Sequence, residues 1–173
     1  RLQIFAENKV PYYQVMDMNE VTMRIVKSFE IGLPATVKIM TRLEEPSPLV
    51  KGNIDLFWQS LVNLLTNSYE ALEGKGEITI FSSREPRSIP GISSMVDYVC
   101  LSVKDNGKGI PKENLEKIFD PFFTTKPTVG AGLGLSMVYA TIKRWEGDIQ
   151  VISSVGEGTT VKLFFKKEER KDS

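Results

Sequence analysis

Asp105-Asn106-Gly107-Lys108-Gly109-Ile110 is the stretch of sequence that says most about the fold and the chemistry of this chain. It follows an apolar run over residues 96–104, which is typical of a strand, so the Asp105 carboxylate is expected at the partly buried end of that strand. A buried carboxylate needs a hydrogen-bond donor, and the exocyclic amine of a purine such as adenine is a suitable one. Gly107 and Gly109 would let the backbone approach a flat base closely. Taken alone, a plain turn between two elements is the better interpretation.

Upstream, Asn63-Leu64-Leu65-Thr66-Asn67 lies in the longest predicted helix, which opens at Asn53 or Asp55 and ends near Leu72. Asn63 and Asn67 are four residues apart, so they project together from its polar face. Amide oxygens there can ligate a hard cation such as Mg²⁺, and amide nitrogens can donate to phosphate oxygens. In isolation, an exposed asparagine pair is the simpler interpretation. The apolar face is predicted to consist of Phe57, Leu61, Leu64, Leu65, Ser68 and Leu72.

Downstream, Gly130-Ala131-Gly132-Leu133-Gly134-Leu135 leads directly into a helix predicted over residues 133–145. A glycine turn before a helix N-terminus offers backbone N–H groups and a positive dipole end to phosphates. A flexible loop would also be rich in glycine. Lys126, in the preceding Phe122-Phe123-Thr124-Thr125-Lys126, is either a further cationic contact or a solvated lysine.

Three aromatic residues, Phe119, Phe122 and Phe123, are crowded into an otherwise polar loop. They either fold back onto the core or form a hydrophobic docking patch that moves with the state of the ligand. We expect a mixture of the two, with Phe119 pointing inward and at least one of the others available to a partner.

The remaining patterns predict an α/β fold, a two-layer sandwich in which a mixed, mostly antiparallel sheet of about five strands packs against three helices. Gly156-Glu157-Gly158 is predicted to turn the last two strands into a hairpin. Asn19 is the predicted N-cap of the first helix. Strand patterns occupy residues 12–18, 36–41, 77–83, 96–104, 149–154 and 159–165. Helical patterns occupy residues 19–31, 53–72 and 133–145, with a short one at 113–119, and loops are predicted at 44–48 and 84–94.

Composition excludes several classes of protein. The 173 residues suit one domain, and a formal net charge of zero gives no overall field that would attract nucleic acid or an anionic membrane. We therefore expect no nucleic-acid partner and no membrane contact by this segment. Cys100 is the only cysteine and lies in an apolar run, so an inert core thiol is expected. A start at Arg1 suggests a piece of a larger protein, with residues 1–10 as a helix stub, 11–167 as the domain and 168–173 as a charged tail.

In this order and spacing, the motifs resemble those of the catalytic, ATP-binding domain of two-component sensor histidine kinases. These domains are one branch of the Bergerat-fold superfamily, which also holds DNA gyrase and the large heat-shock chaperone. Residues 63–67 are similar to the family's N-box, 105–109 to its first glycine box, 119–126 to its F-box and 130–134 to its second glycine box. The Phe-Phe-Thr-Thr-Lys form resembles the subgroup that contains nitrogen-regulation kinases.

The resemblance implies a role for each motif. Asp105 would bind the adenine amine of ATP or ADP, Asn67 would ligate Mg²⁺, and Asn63 would support the metal or the phosphates, so Asn63 and Asn67 are the catalytic candidates. Residues 119–131 would form an ATP lid. The nucleotide-binding set implied in this way is Asn63, Asn67, Asp105, Gly107, Gly109, Ile110, Phe119, Thr125, Lys126, Gly130, Gly132, Leu133, Gly134, Leu135 and Thr159.

One position departs from the family pattern. Many members place a lysine three residues after the second asparagine and a tyrosine one further on, where this chain has Glu70 and Ala71. No phosphate contact is assigned there, and Tyr69 is given no role.

Asn63 also distinguishes two activities. ATPases of the superfamily carry a glutamate at this position to activate water, and an amide cannot accept that proton, so a histidine kinase is favoured over a hydrolase. The chain contains no histidine. Its phosphoacceptor must therefore lie on a separate dimerisation domain of the same parent protein, with a response regulator as an indirect partner and a cytoplasmic location. The alternatives are an ATPase module that dimerises with nucleotide and a non-catalytic docking module.

Overall fold

The structure is a computed structural model that describes residues 12–120, 123 and 134–169. Four helices are present in this part of the chain: α1 (Met18–Glu30), α2 (Ile54–Leu72), α3 (Lys112–Leu115) and α4 (Gly134–Arg144). The strands are β1 (Gln14–Asp17), β2 (Val37–Arg42), β3 (Leu49–Gly52), β4 (Gly76–Arg87), β5 (Val96–Asp105), β6 (Asp148–Ser154) and β7 (Gly158–Glu168).

The strands form one mixed sheet in the order β1-β3-β7-β5-β4-β2, with β6 paired to β7 as well. Within the described residues β2 and β4 pair in parallel and every other pair is antiparallel. The predicted mixed, mostly antiparallel sheet is thus confirmed. Its seven strands exceed the predicted five or so. The strand missed entirely is β3, whose four residues are too few to show alternation.

Alternation along the central strands explains the two layers. In β5, Val99, Leu101 and Val103 belong to the main core beneath the helices, whereas Tyr98 and Cys100 form a small separate cluster with Phe164 on the opposite face. Successive side chains of a strand point to opposite faces, so Asp105 shares the face of Val103. The strand therefore delivers its terminal carboxylate to the side of the sheet where the helices lie.

The N-cap of the first helix lies two residues earlier than predicted. Asp17, not Asn19, is the N-cap, and its side chain accepts from the Glu20 N–H at 3.0 Å. Asn19 is buried in the first turn, where its Nδ2 donates to the Glu44 carbonyl at 2.7 Å. Both residue types favour caps. The apolar side chain of Met18, which is fully buried, decides the register by packing into the core.

The second helix was predicted closely. Asn53 is its N-cap and accepts from the Leu56 N–H at 2.9 Å. All six residues of the predicted apolar face are buried, and Ser60 is buried with them. This helix packs on β4 and β5, and Asn63 and Asn67 on its polar face are half-buried.

Several boundaries differ from the prediction. Strand β4 extends to Arg87, so the 84–94 loop is shorter than expected, and the helix expected over 113–119 is reduced to the four residues of α3. Lys166, Lys167 and Glu168, which follow the predicted last strand, continue β7, where Glu168 pairs with Leu49. Part of the predicted charged tail is therefore strand. No helix in the described part of the chain is long and apolar enough to cross a membrane.

Candidate functional site

A cavity of about 420 Å³ opens between α2, the loop after β5, the region of α3, the start of α4 and the β6–β7 hairpin. Its volume falls in the range of small-molecule and cofactor sites. The lining residues are Leu64, Asn67, Ser68, Glu70, Ala71, Asp105, Lys108, Gly109, Ile110, Pro111, Asn114, Ile118, Phe123, Leu135, Val151, Val155, Thr159 and Val161.

Asp105 is the buried acid of this cavity, with 4% of its surface exposed. Its Oδ1 accepts from the Gly107 N–H at 2.9 Å and from the Thr159 N–H at 3.3 Å. Burial raises the pKa of the Asp105 carboxyl above its ordinary value, while hydrogen bonds from Gly107, Ser68 and Thr159 oppose that rise. A partly satisfied, desolvated carboxylate is a strong acceptor for a donor on a ligand.

The loop after Asp105 is clamped on two sides. On the helix side, the Lys108 N–H donates to the Ala71 carbonyl at 3.0 Å. On the hairpin side, the Gly156 N–H donates to the Lys108 carbonyl at 2.8 Å, and the Ile110 N–H donates to Ser153 Oγ at 2.8 Å. The loop is therefore a rigid wall of the cavity, held between the end of α2 and the β6–β7 turn.

The glycines of this loop also have a structural role, besides the predicted close approach to a base. A Cβ on Gly107 would lie 2.4 Å from the Ala71 carbonyl oxygen. Gly109 has φ +75, and a Cβ there would lie 2.1 Å from the Ser154 carbonyl oxygen. Both contacts are with protein backbone. The glycines allow the loop to fit between the helix and the hairpin, and this fit shapes the cavity.

Asn67 lines the cavity near the start of α4. A Cβ on Gly134, the first residue of that helix, would lie 3.7 Å from Asn67 Nδ2 and 3.9 Å from its Oδ1. The amide is thus brought next to a helix N-terminus, where the backbone dipole is positive. Asn63, one turn earlier, is half-buried and lies outside the set of lining residues.

Two of the predicted aromatic residues are described. Phe119 packs against the main core, and its ring lies 5.1 Å from that of Tyr139, centroid to centroid. It is not part of the cavity lining, whereas Phe123 and Ile118 are. Of the other predicted contacts, Gly109, Ile110, Leu135 and Thr159 line the cavity, whereas Gly107 is not a lining residue.

Five of the predicted nucleotide contacts lie outside the described residues. They are Thr125, Lys126, Gly130, Gly132 and Leu133, together with Phe122 and most of the predicted lid.

Ile110 and Leu135 are apolar lining residues that were predicted, but the rest of the apolar wall was not. Leu64, Val151 and Val161 line the cavity, although their sequence patterns indicate ordinary core positions. Ser68 was predicted on the buried face of α2, where its hydroxyl needs a polar partner, and in the structure that partner is Asp105. Glu70 and Ala71, which depart from the family pattern, also line the cavity. Ala71 contributes through its carbonyl, which no sequence pattern specifies.

Comparison with known proteins shows which family the chain belongs to. The family described as "Histidine kinase-, DNA gyrase B-, and HSP90-like ATPase" matches residues 52–169. The sensor kinase CckA of Brucella abortus (strain 2308) is 43% identical over 176 residues, covering 95% of this chain and 18% of CckA. The signal transduction histidine-protein kinase AtoS of Escherichia coli (strain K12) is 33% identical over 162 residues, covering 92% of this chain and 25% of AtoS.

A solved structure agrees with these relatives. The nucleotide-free catalytic domain of the histidine kinase ThkA matches with a TM-score of 0.74 at 27% identity, covering 90% of this chain and 98% of that one. The chain belongs to the histidine kinase-, DNA gyrase B- and HSP90-like ATPase family, as an ATP-binding catalytic domain of the sensor histidine kinase type. It spans about a fifth of the length of CckA.

The clamped loop leads to a stability prediction. The substitution Gly109→Ala adds backbone strain of about 1–2 kcal/mol, because φ is positive there. It also adds a steric clash with the Ser154 carbonyl that costs about 1–3 kcal/mol. Gly156→Ala is the matched control, since Gly156 has φ +83 but no atom within 4 Å of an added Cβ. Because the backbone strain is common to both variants, we expect Gly109→Ala to lower the free energy of unfolding in urea by about 1–3 kcal/mol more than Gly156→Ala does. Equal losses would show that the loop is not tightly packed.

Proposed function

We propose that this chain binds ATP with Mg²⁺ and transfers the γ-phosphoryl group to a histidine on a separate dimerisation domain, in two-component signalling. The observation that carries the proposal is the buried Asp105 carboxylate in a cavity that also reaches Asn67, beside the N-terminus of α4. A single ligand that satisfies these features needs a donor at one end and negative charge at the other.

The Asp105 end suits the adenine base. The carboxylate accepts a hydrogen bond from the exocyclic amine of adenine, and its own backbone donors hold it in place. Apolar side chains of Leu64, Ile110 and Val161 line the same cavity and offer contact to the faces of a flat ring. Removing the base from water against these side chains adds to the affinity.

The Asn67 end suits the phosphates and a cation. An amide oxygen is a hard ligand of the kind that Mg²⁺ accepts, and Mg²⁺ usually takes one or two protein ligands together with substrate phosphates. Asn67 would hold the ion, and Asn63, one helical turn earlier, would support the ion or the phosphates. When bound, Mg²⁺ neutralises charge on the phosphates. The start of α4 offers backbone N–H groups to the same anion.

Transfer to an imidazole suits a site without a general base. The bond between the γ-phosphorus and the β–γ bridging oxygen breaks, and its electron pair leaves with ADP. A new bond forms from the imidazole nitrogen to phosphorus, and the imidazole proton passes to solvent. A neutral imidazole is already nucleophilic near pH 7, so the protein must mainly position the two reactants. Asn63 cannot take a proton from water, which disfavours hydrolysis.

The acceptor and the partners follow from composition and from the relatives. The chain has no histidine, so the acceptor lies on another part of the parent protein, and a response regulator would receive the phosphoryl group from that histidine. We place the domain in the cytoplasm, where ATP is supplied. The Phe122-Phe123-Thr124-Thr125-Lys126 motif supports the nitrogen-regulation-like subgroup, while the similarity to CckA and AtoS supports only the broader kinase assignment.

The second candidate is an ATPase module that dimerises with nucleotide, favoured by the family description, which includes DNA gyrase B and HSP90. Rapid turnover of ATP by this domain alone would support it over the kinase.

The adenine contact is tested by Asp105→Asn. The amide would direct N–H groups at the adenine amine, so ATP affinity should fall at least about tenfold, since hydrogen bonds to charged groups contribute about 1.5–3 kcal/mol. The free protein should not become less stable at pH 7. The pKa of Asp105 is raised in the folded protein, so its ionisation lowers the free energy of unfolding as the pH rises from the ordinary value of 3.8 through the raised one. Asn carries no charge, so Asp105→Asn removes that loss.

Calorimetry with ATP and thermal melting without ligand give the two readouts for Asp105→Asn. Asp97→Asn, an exposed carboxylate in the same strand, is the matched control and should change neither. Unchanged ATP affinity in Asp105→Asn would rule out the adenine assignment.

The metal contact is tested by Asn67→Ala. We expect the Mg²⁺-dependent part of the ATP affinity to disappear, while binding in the presence of a chelator changes far less, because the contact to the ion is absent there in both proteins. Gln59→Ala, exposed on the same helix two turns earlier, is the control and should keep the full Mg²⁺ dependence. A metal effect that survives in Asn67→Ala would contradict this assignment.

Phosphoryl transfer is tested with ATP labelled at the γ-phosphorus and the histidine-bearing helical domain of the parent protein. Label should appear on that domain and be released by acid, as phosphohistidine is acid-labile. Replacing the acceptor histidine by glutamine is the control. Label found on the present chain alone would overturn the proposal, because it contains no histidine.

A further inference from the structure

The hydroxyl of Ser153 lies behind the candidate nucleotide cavity and connects two of its walls. Ser153 stands on β6 directly opposite Thr159 of β7 and is half-buried. Its Oγ has three polar neighbours: the Ile110 N–H at 2.8 Å, the Gly158 carbonyl at 3.0 Å and Thr159 Oγ1 at 2.7 Å. Ser153 itself is not a lining residue, whereas Ile110 and Thr159 are.

The direction of each bond follows from the donors and acceptors available. A serine hydroxyl has one proton to donate and two lone pairs to accept with. The Ile110 N–H can only donate, and the Gly158 carbonyl can only accept. The Ser153 proton is therefore used on Gly158, and the contact with Thr159 is made by the Thr159 hydroxyl donating to Ser153.

This pattern leaves the Thr159 hydroxyl without a proton for a ligand. Its lone pairs remain, at a residue that lines the cavity and whose backbone N–H donates to Asp105. Asp105 and Thr159 thus offer acceptors to the base. A purine with an exocyclic amine can donate a hydrogen bond to these acceptors. A purine with a carbonyl at the same position cannot, because its oxygen is itself an acceptor.

We propose that Ser153 is a positioning residue that sets the choice of base, because it holds the proton of the Thr159 hydroxyl away from the cavity. The inference rests on the proposed function, since it concerns the same nucleotide site. It assigns to a residue outside the cavity part of the selection for an amino-purine over an oxo-purine.

The test compares the affinities of ATP and inosine triphosphate, which carries a carbonyl in place of the amine. The readout is the ratio of the two Kd values, inosine triphosphate over ATP, measured by calorimetry on each variant. A general loss of stability or of loop order affects both ligands and leaves this ratio unchanged.

In Ser153→Ala the Thr159 hydroxyl becomes free to turn its proton toward the carbonyl of inosine, so the ratio should fall about fivefold, the value of roughly one hydrogen bond. Ser153→Thr keeps the hydroxyl and should keep the ratio. Ser154→Ala, at the exposed neighbouring position, is the matched control and should also keep it. An unchanged ratio in Ser153→Ala, with both affinities lowered equally, would make Ser153 merely structural and overturn the inference.

Thr159→Val separates the two residues. If the hydroxyl accepts, its removal weakens ATP more than inosine triphosphate and lowers the ratio, whereas loss of a donor would raise the ratio and contradict the inference. In the Thr159→Val background, Ser153→Ala should have no further effect on the ratio, because the two residues act through one hydroxyl. If Ser153→Ala does not fold, Thr159→Val alone decides. A wild-type protein that binds neither nucleotide would refute the proposed function itself. That result differs from a wild-type protein and a Ser153→Ala variant that both bind ATP and have the same ratio of Kd values, which would refute only the present inference.

Discussion

The burial of one carboxylate is the constraint on which the rest of the site depends. Asp105 lies at the end of a central strand, on the face of the sheet that carries the helices, with 4% of its surface exposed. A charge in that position is tolerated because the backbone N–H groups of Gly107 and Thr159 donate to it. Those two donors come from different parts of the chain, so holding the acid in place also holds the loop and the hairpin beside it.

The walls around the acid follow from the same arrangement. The loop after β5 is pinned to the carbonyl of Ala71 at the end of α2 and to the β6–β7 turn, and its glycines are there because any side chain would strike one of these neighbours. The rigid half of the cavity is thus built from main-chain contacts. The other half is formed by side chains such as Asn67, which approaches the start of α4. Rigidity at the base end and proximity to a helix terminus at the other end suit one elongated anionic ligand.

The sequence predicted those parts of the fold that depend on side-chain periodicity. The buried face of α2 and the β6–β7 hairpin were predicted and are confirmed, and of the two predicted starts of α2, Asn53 and Asp55, Asn53 is the observed N-cap. Strand β3 was missed because four residues show no period, and the start of α1 was misplaced because two good capping residues, Asp17 and Asn19, stand close together. In the site, the polar side chains of Asp105 and Asn67 were predicted from sequence, and both line the cavity. The Ala71 carbonyl and the Ser153 hydroxyl were not, because their roles arise from contacts between distant segments.

The cavity draws its walls from segments that are far apart in the chain, from Leu64 in α2 to Val161 in β7. This chain has a single cysteine and so cannot join these segments by an internal disulfide. A ligand bound among these segments also stabilises the folded chain, since it binds only when all of them are assembled. By mass action, occupancy at a hundred times the Kd adds about 2.7 kcal/mol to the free energy of unfolding. A nucleotide bound in this cavity would therefore stabilise the folded chain reversibly, to an extent set by its concentration.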